Sequence, residues 1–514
     1  MGAIITAPFW PPARVIAALY PILMVLAVMT VFRWGGQRAG PIGLLIGIAV
    51  AGAFFGLTSS TLLVSQVKGL VISALVLIVL WPALILYNLV NEIGGIEATA
   101  RALRKLITDH GLLLIMLTWT FSAILEGVAG FGIPIAIIAP MLVTLGVTPV
   151  AAVAAAAVGH AWSVAFGDMG VIFQTLISVT NADPNAIIPY AAVLLGFTCL
   201  LCGFATMRIL RLTGYGLLIV ILTATMSLTQ YAAAASGLAS MAGLLAGLAG
   251  IGAGALLVRL PRLKRAGAPP AEAAGPLLAG SSTPLRAAVA SYSALTVIFA
   301  GVVLIAPLNQ ALKTVKWSIA FPYGAPHFEQ VIYPLTHPGT IVLLVTVLSY
   351  LIYRSIGLLG RGDGRLALRK ASRAALPVTI GIVTMVGLST LMEFTGMTQL
   401  LAEALSGGLS RFFPVVSPLV GMVGAFATGS NNNSNVLLGP LQNNIAHILG
   451  ITPALLLAAQ TTGGAIGSMI APAKIIVGCS TVNLKDRDGD VLRITMPYGL
   501  AIGLIVGVVA LALA

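Results

Sequence analysis

Charged residues are scarce in this chain. Only 8% of its 514 residues are Asp, Glu, Lys or Arg, whereas 59% are hydrophobic. A soluble globular protein carries about 25% charged residues, so no water-soluble fold could cover this much apolar surface. The composition excludes a soluble protein and predicts a polytopic membrane protein.

Cysteines and familiar catalytic motifs are also few or missing. Of three cysteines, Cys199 and Cys202 form a C-x-x-C inside an apolar stretch, which is typical of small packing residues. The sequence contains no H-E-x-x-H motif, no nucleophile elbow and no phosphate-binding loop. These absences argue against an enzyme, a metal site, a resident cofactor and an ATP-driven pump.

The charges that are present are mostly basic, 27 Lys and Arg against 14 Asp and Glu. They lie in short segments between apolar runs, which indicates cytoplasmic loops of a membrane protein rather than nucleic-acid binding. All six basic clusters can be cytoplasmic if both termini lie outside. The clusters are Arg33 and Arg38; Arg101, Arg104 and Lys105; Arg208 and Arg211; Arg259, Arg262, Lys264, Arg265 and Arg286; Arg354, Arg361, Arg365, Arg369, Lys370 and Arg373; and Lys485, Arg487 and Arg493.

Long apolar runs such as Ile16–Val31, Leu70–Val90, Ala191–Met207 and Leu492–Ala514 approach or reach the roughly 20 residues needed to cross a bilayer. Spans in lipid must satisfy their backbone polar groups internally and are therefore helical. We predict an all-α polytopic membrane protein with about twelve transmembrane helices, in a bacterial plasma membrane.

Two polar segments interrupt this pattern at corresponding places, EGVAGFGIP at Glu126–Pro134 and ATGSNNNSN at Ala427–Asn435. Interrupted segments in matching positions of two halves point to a transporter's binding site. The apolar arms beside them would rise only ~18–22 Å as helices, less than the ~30 Å hydrocarbon core. Each segment is therefore predicted to be the non-helical tip of a re-entrant helical hairpin.

The sequence predicts an inverted repeat. Asn91–Ile96 resembles Met392–Met397 at the same offset as the two tips, and the loop charges give the preceding spans opposite directions. The predicted units are a first repeat (1–214, tip 126–134), an extra helix pair with a basic linker (215–286), and a second repeat (287–514, tip 427–435).

Candidate binding residues lie at and near the tips. Half-helix N-termini favour anions such as carboxylates, and bare glycine backbone permits close approach. A Gly-rich string also suits simple helix packing, and an Asn/Ser-rich string also suits a solvated surface loop. The predicted substrate-binding residues are Gly130, Phe131, Gly132, Ser430, Asn431, Asn432, Asn433, Ser434, Thr461, Thr462 and Lys474.

Ionisable residues at membrane depth are costly and suggest function. Glu126 lies at the first tip, Asp168 at a break in the following span, and Lys474 just after Pro472 at the equivalent later break. Glu126, Asp168 and His160 are the candidate proton-coupling residues. The alternatives are a structural Asp168–Lys474 charge pair and a packing role for His160.

Several strings resemble the L-lactate permease family: EGVAGFGIPIAIIAP at Glu126–Pro140, VAFGDMG at Val164–Gly170, TGSNNNSNVLLGPLQ at Thr428–Gln442, and GGAIGSMIAP at Gly463–Pro472. The resemblance implies uptake of a small 2-hydroxymonocarboxylate with a proton. It also implies a fold similar to the wider ion-transporter superfamily, with inverted repeats, two hairpins and often an elevator movement in a homodimer.

This sequence departs from the family pattern at three places. An acidic residue commonly stands at the position of Asn431, a lysine near Ser468, and a neutral residue at the position of Asp168. Two other hypotheses therefore stay open. They are a sodium-coupled carrier of another organic anion, such as a dicarboxylate or sulfonate, and an uncoupled anion channel.

Overall fold

The computed structural model describes residues 12–32, 34–130, 132–258, 282–321, 328–484 and 487–514. Within these ranges, twelve helical segments are long and apolar enough to cross a membrane. The predicted helical, polytopic fold with about twelve spans is confirmed. Arg33, the linker from 259 to 281 and Lys485 lie outside the described residues, and the side of the membrane on which the termini lie stays a prediction.

The helices run from one end of the chain to the other with few other elements. The first half contains α1 (Pro12–Thr30), α2 (Gly36–Phe54), α3 (Ser59–Glu92), α4 (Gly95–Leu106), α5 (His110–Ile115), α6 (Ser122–Val128), α7 (Ile133–Thr144), α8 (Pro149–His160), α9 (Val171–Thr180) and α10 (Pro184–Ile209). Five helices follow: α11 (Gly216–Ala233), α12 (Ala242–Leu257), α13 (Thr283–Leu304), α14 (Ala306–Lys313) and α15 (Pro338–Ser355). The second half contains α16 (Asp363–Phe394), α17 (Met397–Leu409), α18 (Phe413–Thr428), α19 (Asn431–Leu449), α20 (Pro453–Ser468), α21 (Pro472–Thr481) and α22 (Asp488–Ala512).

The two halves follow the same order from α3 and from α16 onwards. Each has one very long helix, a short helix, two arms separated by a break, a broken helix, and a long closing helix. The arms of the first half are α5–α6, joined by a π-helical stretch, and α7; those of the second are α18 and α19. This common order supports the repeat, while its inverted relation and the re-entrant depth of the hairpins stay predictions.

The long helices α3 and α16 pack against each other in opposite directions. Lys68, near the start of α3, pairs with Glu393 at the end of α16 (Nζ–Oε1 2.8 Å). Lys370, near the start of α16, pairs with Glu92 at the end of α3 (2.5 Å). Between these ends, the Trp81 Nε1–H donates to Thr379 Oγ1 at 3.1 Å. Opposite directions of helices in equivalent positions are consistent with the predicted inverted repeat.

The buried centre of the molecule contains α18 and α20, which approach closely through glycines. A Cβ on Gly421 would stand 2.1 Å from the Gln460 carbonyl oxygen, and one on Gly463 would stand 1.9 Å from that of Pro418. Small residues permit such contact between helices in a membrane, where packing replaces the hydrophobic effect as the driving force. Helix α20 is buried from Ala454 to its end at Ser468.

One small element departs from an all-helical fold. Strands β1 (Trp317–Phe321) and β2 (Phe328–Ile332) form an antiparallel pair in which Ile319 lies opposite Gln330. The aromatic and β-branched residues of both strands favour this conformation. This connection lies outside the apolar runs from which the helices were predicted, so the two strands were not anticipated from the sequence.

Candidate functional site

The second tip is more helical than the sequence suggested. Only Gly429, at φ +71°, and Ser430 separate α18 from α19. The Ser430 hydroxyl accepts the backbone N–H of Asn433 at 3.4 Å, so it caps α19. The run that begins with Asn431 therefore forms the first turns of a helix instead of a loop, because Ser is a favoured N-cap and its hydroxyl satisfies a free N–H of the first turn.

The four asparagines and Ser434 of the second tip are buried and Ser430 is half-buried, so the surface-loop alternative is wrong. Two asparagines are fixed by one threonine: Asn431 Nδ2 donates to the Thr461 carbonyl and Asn435 Nδ2 donates to Thr461 Oγ1, both at 3.0 Å. Both polar atoms of the Asn432 side chain have no hydrogen-bond partner among the described residues. The same holds for Asn431 Oδ1, Asn435 Oδ1 and Thr462 Oγ1.

A buried chain of hydrogen bonds joins the two arms of the second hairpin to α20. Gln442 Nε2 donates to Gln460 Oε1 at 2.5 Å, and Gln460 Nε2 donates to Ser434 Oγ at 3.0 Å. Ser434 in turn donates to the Gly421 carbonyl at 2.8 Å, and Ser417 donates to Gln442 Oε1. The Ser434 hydroxyl is therefore engaged within the protein, which favours a structural role. Gln442 was not among the predicted site residues. The signal that could have identified it is the presence of a glutamine in an apolar helical arm.

The first tip combines a bare backbone with a buried acid. Helix α6 ends at Val128, and Gly132 (φ +84°) precedes α7; Phe131 lies outside the described residues. Glu126 lies in the last turn of α6, one turn before the break. Its side chain is 0% exposed, and neither carboxyl oxygen has a hydrogen-bond partner within the described part of the chain.

Asp168 lies where the broken helix α8–α9 turns back on itself. Asp168, Met169 and Gly170 have successive positive φ values of 52°, 54° and 76°, a conformation that is strained for the first two residues and typical of functional sites. Asp168 is 5% exposed, and its Oδ1 accepts the backbone N–H of Gly130. This bond attaches the break to the first tip.

Gly130 separates the two carboxyl groups. A Cβ at this position would stand 2.5 Å from Glu126 Oε1 and 2.8 Å from Asp168 Oδ1. The two acids therefore face each other across a position that only glycine can occupy without a clash. Neither carboxyl group makes an ion pair within 4.0 Å with another described residue.

Lys474 lies between the two tips, in the first turn of α21. A Cβ on Gly132 would stand 3.8 Å from Lys474 Cγ, and one on Gly429 would stand 3.1 Å from the neighbouring Ala473 Cβ. Lys474 is 7% exposed, and no ion pair joins it to Asp168 in the described ranges. Its charge is nevertheless close enough to act on both Glu126 and Asp168. The positive end of the helix dipole adds to the charge of a lysine in the first turn. The two together favour an anion bound beside Lys474.

His160, the last residue of α8, is fully buried. Its Nδ1 lies 3.1 Å from the Ala156 carbonyl, and because a carbonyl only accepts, the Nδ1–H is the donor. Its Nε2 has no hydrogen-bond partner in the described part of the chain. The same residues contain no group of three or more His, Cys, Asp or Glu side chains suited to a metal ion.

Each half contributes to the tip of the other half. The Asn435 amide of α19 donates to the Ile172 carbonyl of α9 at 3.5 Å. A Cβ on Gly478 of α21 would stand 2.5 Å from Ile135 of α7 and 2.9 Å from Val153 of α8. The predicted site residues Glu126, Gly132, Asp168 and Lys474 thus lie together. The second tip contacts this group through Ala473, which lies next to Gly429.

Comparisons with known proteins identify relatives over nearly the whole chain. The family model for L-lactate permease matches residues 14–514. The chain is 26% identical to the glycolate permease GlcA of Escherichia coli K12, over 96% of this chain and 95% of that protein. It is 27% identical to the L-lactate permease of Bacillus subtilis 168, with 96% and 94% covered. It is 26% identical to the L-lactate permease of Halalkalibacterium halodurans, with 96% and 95% covered.

A solved structure is similar over most of its length. The YdaH transporter of Alcanivorax borkumensis matches with a TM-score of 0.49 and 17% identity, covering 85% of this chain and 84% of that one. The family match and the twelve candidate spans indicate a transporter rather than an enzyme, with multiple passes through a bacterial plasma membrane. The chain belongs to the L-lactate permease family.

Proposed function

We propose that this protein is a secondary transporter that carries a small 2-hydroxymonocarboxylate, such as lactate or glycolate, together with a proton. The single observation that carries the proposal is the position of Lys474. It is a buried cation between two tips, in the first turn of a helix, with no ion pair among the described residues. A substrate carboxylate supplies the negative charge that this position favours.

The remaining contacts suit the other polar group of a 2-hydroxy acid. The Asn432 amide has a donor and an acceptor that are both buried and unpaired within the described residues, and it can bond a hydroxyl through either. The first N–H groups of α19 and α7 point out of their helices at the tips. In this proposal Asn432, the helix N-termini and Lys474 bind the substrate, and Thr461 positions Asn431 and Asn435.

The names of the relatives support this choice of substrate, since they are L-lactate and glycolate permeases. Glu126 and Asp168 are the proposed proton acceptors, because they are the buried acids beside Lys474. An acid at membrane depth is a natural site for a proton that moves with a substrate.

Uptake by the purified protein in liposomes tests the proposal. We expect labelled lactate and glycolate to accumulate under an inward proton gradient without sodium, and each to compete with the other. Lys474→Met should abolish uptake, whereas Lys105→Met, at an exposed position in α4, should not. Correctly folded protein that takes up no short hydroxy acid would contradict the proposal, and uncoupled flux would indicate a channel.

Sodium coupling is a second candidate, favoured by a specific observation. Three buried oxygens have no hydrogen-bond partner among the described residues: Asn431 Oδ1, Asn435 Oδ1 and Thr462 Oγ1. The two asparagines donate to Thr461, and Thr462 follows it in the chain. Neutral oxygen donors of this kind suit a hard cation. Uptake that requires sodium and does not respond to pH would replace the proton in the proposal.

A further inference from the structure

A cavity of about 400 Å³ opens among α4, α6, α12 and α13, and most of the side chains that line it are apolar. Leu248, Val289 and Val297 line it and are also exposed at the surface of the protein. Because α12 and α13 belong to candidate membrane spans, this surface faces lipid hydrocarbon. An apolar space offers water no hydrogen-bond partners, so an acyl chain of the bilayer is the material suited to fill it.

Helix α4 separates this cavity from a second one of about 300 Å³, which lies between α4, α7 and the end of α3, and Ile96 lines both. The second cavity is lined by the half-buried Arg101 and Arg104. Glu97 is the acid among its described lining residues, and it is paired with Arg101 at 2.8 Å and is itself 70% exposed. Two guanidinium groups against one carboxylate leave this lining with a net positive charge, which suits an anion.

The two cavities lie at different depths. Helix α4 follows the end of the long helix α3, and charged side chains at the end of a span lie near the lipid headgroups. Arg101 and Arg104 therefore lie at the level of lipid phosphates. A Cβ on Gly95 would stand 2.8 Å from Ala288 Cβ, so the Ala288 end of the apolar cavity lies beside α4. From Ala288 to Val297 the cavity follows α13 for ~14 Å, in the direction that an acyl chain takes away from its headgroup.

We propose that one anionic phospholipid binds at α4, with its phosphate held by Arg101 and Arg104 and one acyl chain in the apolar cavity. Guanidinium groups suit phosphate because they donate paired hydrogen bonds, and a basic pocket between membrane helices favours an anionic headgroup. The cavity is also lined by Leu125 and Val128 of α6, and α6 ends at Val128 beside the first tip. The bound acyl chain therefore packs against the arm that carries this tip, whichever substrate and ion the protein transports.

Native mass spectrometry of the purified protein in detergent tests the headgroup contacts. After delipidation and titration with phosphatidylglycerol, we expect one lipid per chain to bind in preference to phosphatidylcholine with the same acyl chains. The preference should be roughly 25-fold, about fivefold for each arginine, and Arg101→Gln with Arg104→Gln should abolish it. The control is Arg361→Gln with Arg365→Gln, which removes the same charge from exposed positions and should keep the preference. A native protein that does not distinguish the two lipids, or a double variant that still does, would overturn the proposal.

A second variant tests the position of the acyl chain without changing any charge. Ala102 is half-buried and lines the apolar cavity, so Ala102→Phe should fill part of it. Phosphatidylglycerol should then bind roughly tenfold more weakly, the effect of withdrawing about two methylene groups from an apolar site. Ala294→Phe, at an exposed position of α13, should bind the lipid as the native protein does. Native affinity in Ala102→Phe would place the chain elsewhere and overturn the proposal. The same spectra give the mass of the assembly, and a lipid-free dimer that Ala102→Phe dissociates would overturn it too, because a second copy would then fill the cavity.

Discussion

The two tips occupy equivalent places in their halves and differ in almost every chemical respect. The first has an acid in the last turn of its entering helix, a glycine backbone at the break, and a second acid attached by the Gly130 N–H. The second has no charge, and its asparagines and serines form the capped start of α19. Much of its polarity is satisfied internally, through Thr461 and Gln460.

In the proposed mechanism this difference separates two tasks within one site. The buried acids lie at the first tip and at the break beside it, and uncharged hydrogen-bonding groups lie at the second tip. Lys474 lies at the point where they meet. We therefore expect substitutions in the first tip to alter coupling and substitutions in the second to alter affinity or stability. The predictions below test this division, beginning with the largest expected effect.

Gly130→Ala should reduce transport by about a hundredfold, the scale of a small misplacement at a reacting site. The added methyl group would stand 2.5–2.9 Å from both carboxyl groups, so it must force them apart and break the Gly130–Asp168 bond. Initial uptake rates in liposomes measure the loss. Gly52→Ala is the control, because a Cβ there meets nothing within 4 Å; native rates in Gly130→Ala would show that the first tip tolerates distortion.

Asn432→Ala should raise the KM for lactate by roughly twofold to tenfold, since a hydrogen bond to a neutral hydroxyl contributes about 0.5–1.5 kcal/mol. The number of protons per lactate should not change, because no acid is touched. Concentration-dependent uptake and dye-detected proton uptake measure the two quantities. A changed proton ratio with an unchanged KM would place coupling in the second tip and reverse the comparison.

Gln442→Leu should destabilise the protein by about 1–3 kcal/mol, the cost of leaving buried polar partners unsatisfied. The leucine would leave Ser417 and Gln460 without the hydrogen bonds that they make with Gln442. Thermal unfolding in detergent measures the effect, with Gln399→Leu at an exposed position in α17 as control. If stability is native but the KM rises, Gln442 belongs to the binding site rather than to its support.

Lys68→Met should have the smallest effect, at most about 1 kcal/mol, because its partner Glu393 is 41% exposed and water screens the pair. A double-mutant cycle with Glu393→Gln isolates the interaction. The charge-swapped variant, Lys68→Glu with Glu393→Lys, should regain native stability. A coupling energy well above this range would indicate that the pair is desolvated in the membrane-embedded protein.

Much of the architecture was accessible from the sequence because hydropathy and breaking residues carry it directly. The paired breaks, the second pair of breaks near Gly167 and Pro472, and the similarity of the two halves all correspond to runs of Gly, Pro or Asn within apolar sequence. The helical start of the second tip was not accessible in this way. Asparagine is unfavourable in the interior of a helix and well suited to its first turns, so composition alone does not locate the boundary.

Contacts between distant segments were also beyond the sequence. The repeated Glu92 and Glu393 were visible as equivalent acids, but their lysine partners lie on the opposite long helix and follow only from antiparallel packing. Ser434 and Thr461, which are predicted to bind substrate, have internal hydrogen-bond partners, and their role in binding stays a prediction. A sequence shows which residues are polar at membrane depth, and only the fold shows which of them already have a partner.

The reciprocal ion pairs at the ends of α3 and α16 have a consequence for the surrounding lipid. The stretch of α3 from Lys68 to Glu92 rises roughly 36 Å at ~1.5 Å per residue, slightly more than the ~30 Å hydrocarbon thickness of a typical bilayer. With α3 crossing the bilayer close to its normal, one pair would lie near each headgroup region, so the distance between the pairs would match the hydrocarbon thickness. A markedly thicker bilayer would draw the charges into hydrocarbon, so the protein is matched to lipids of ordinary acyl length.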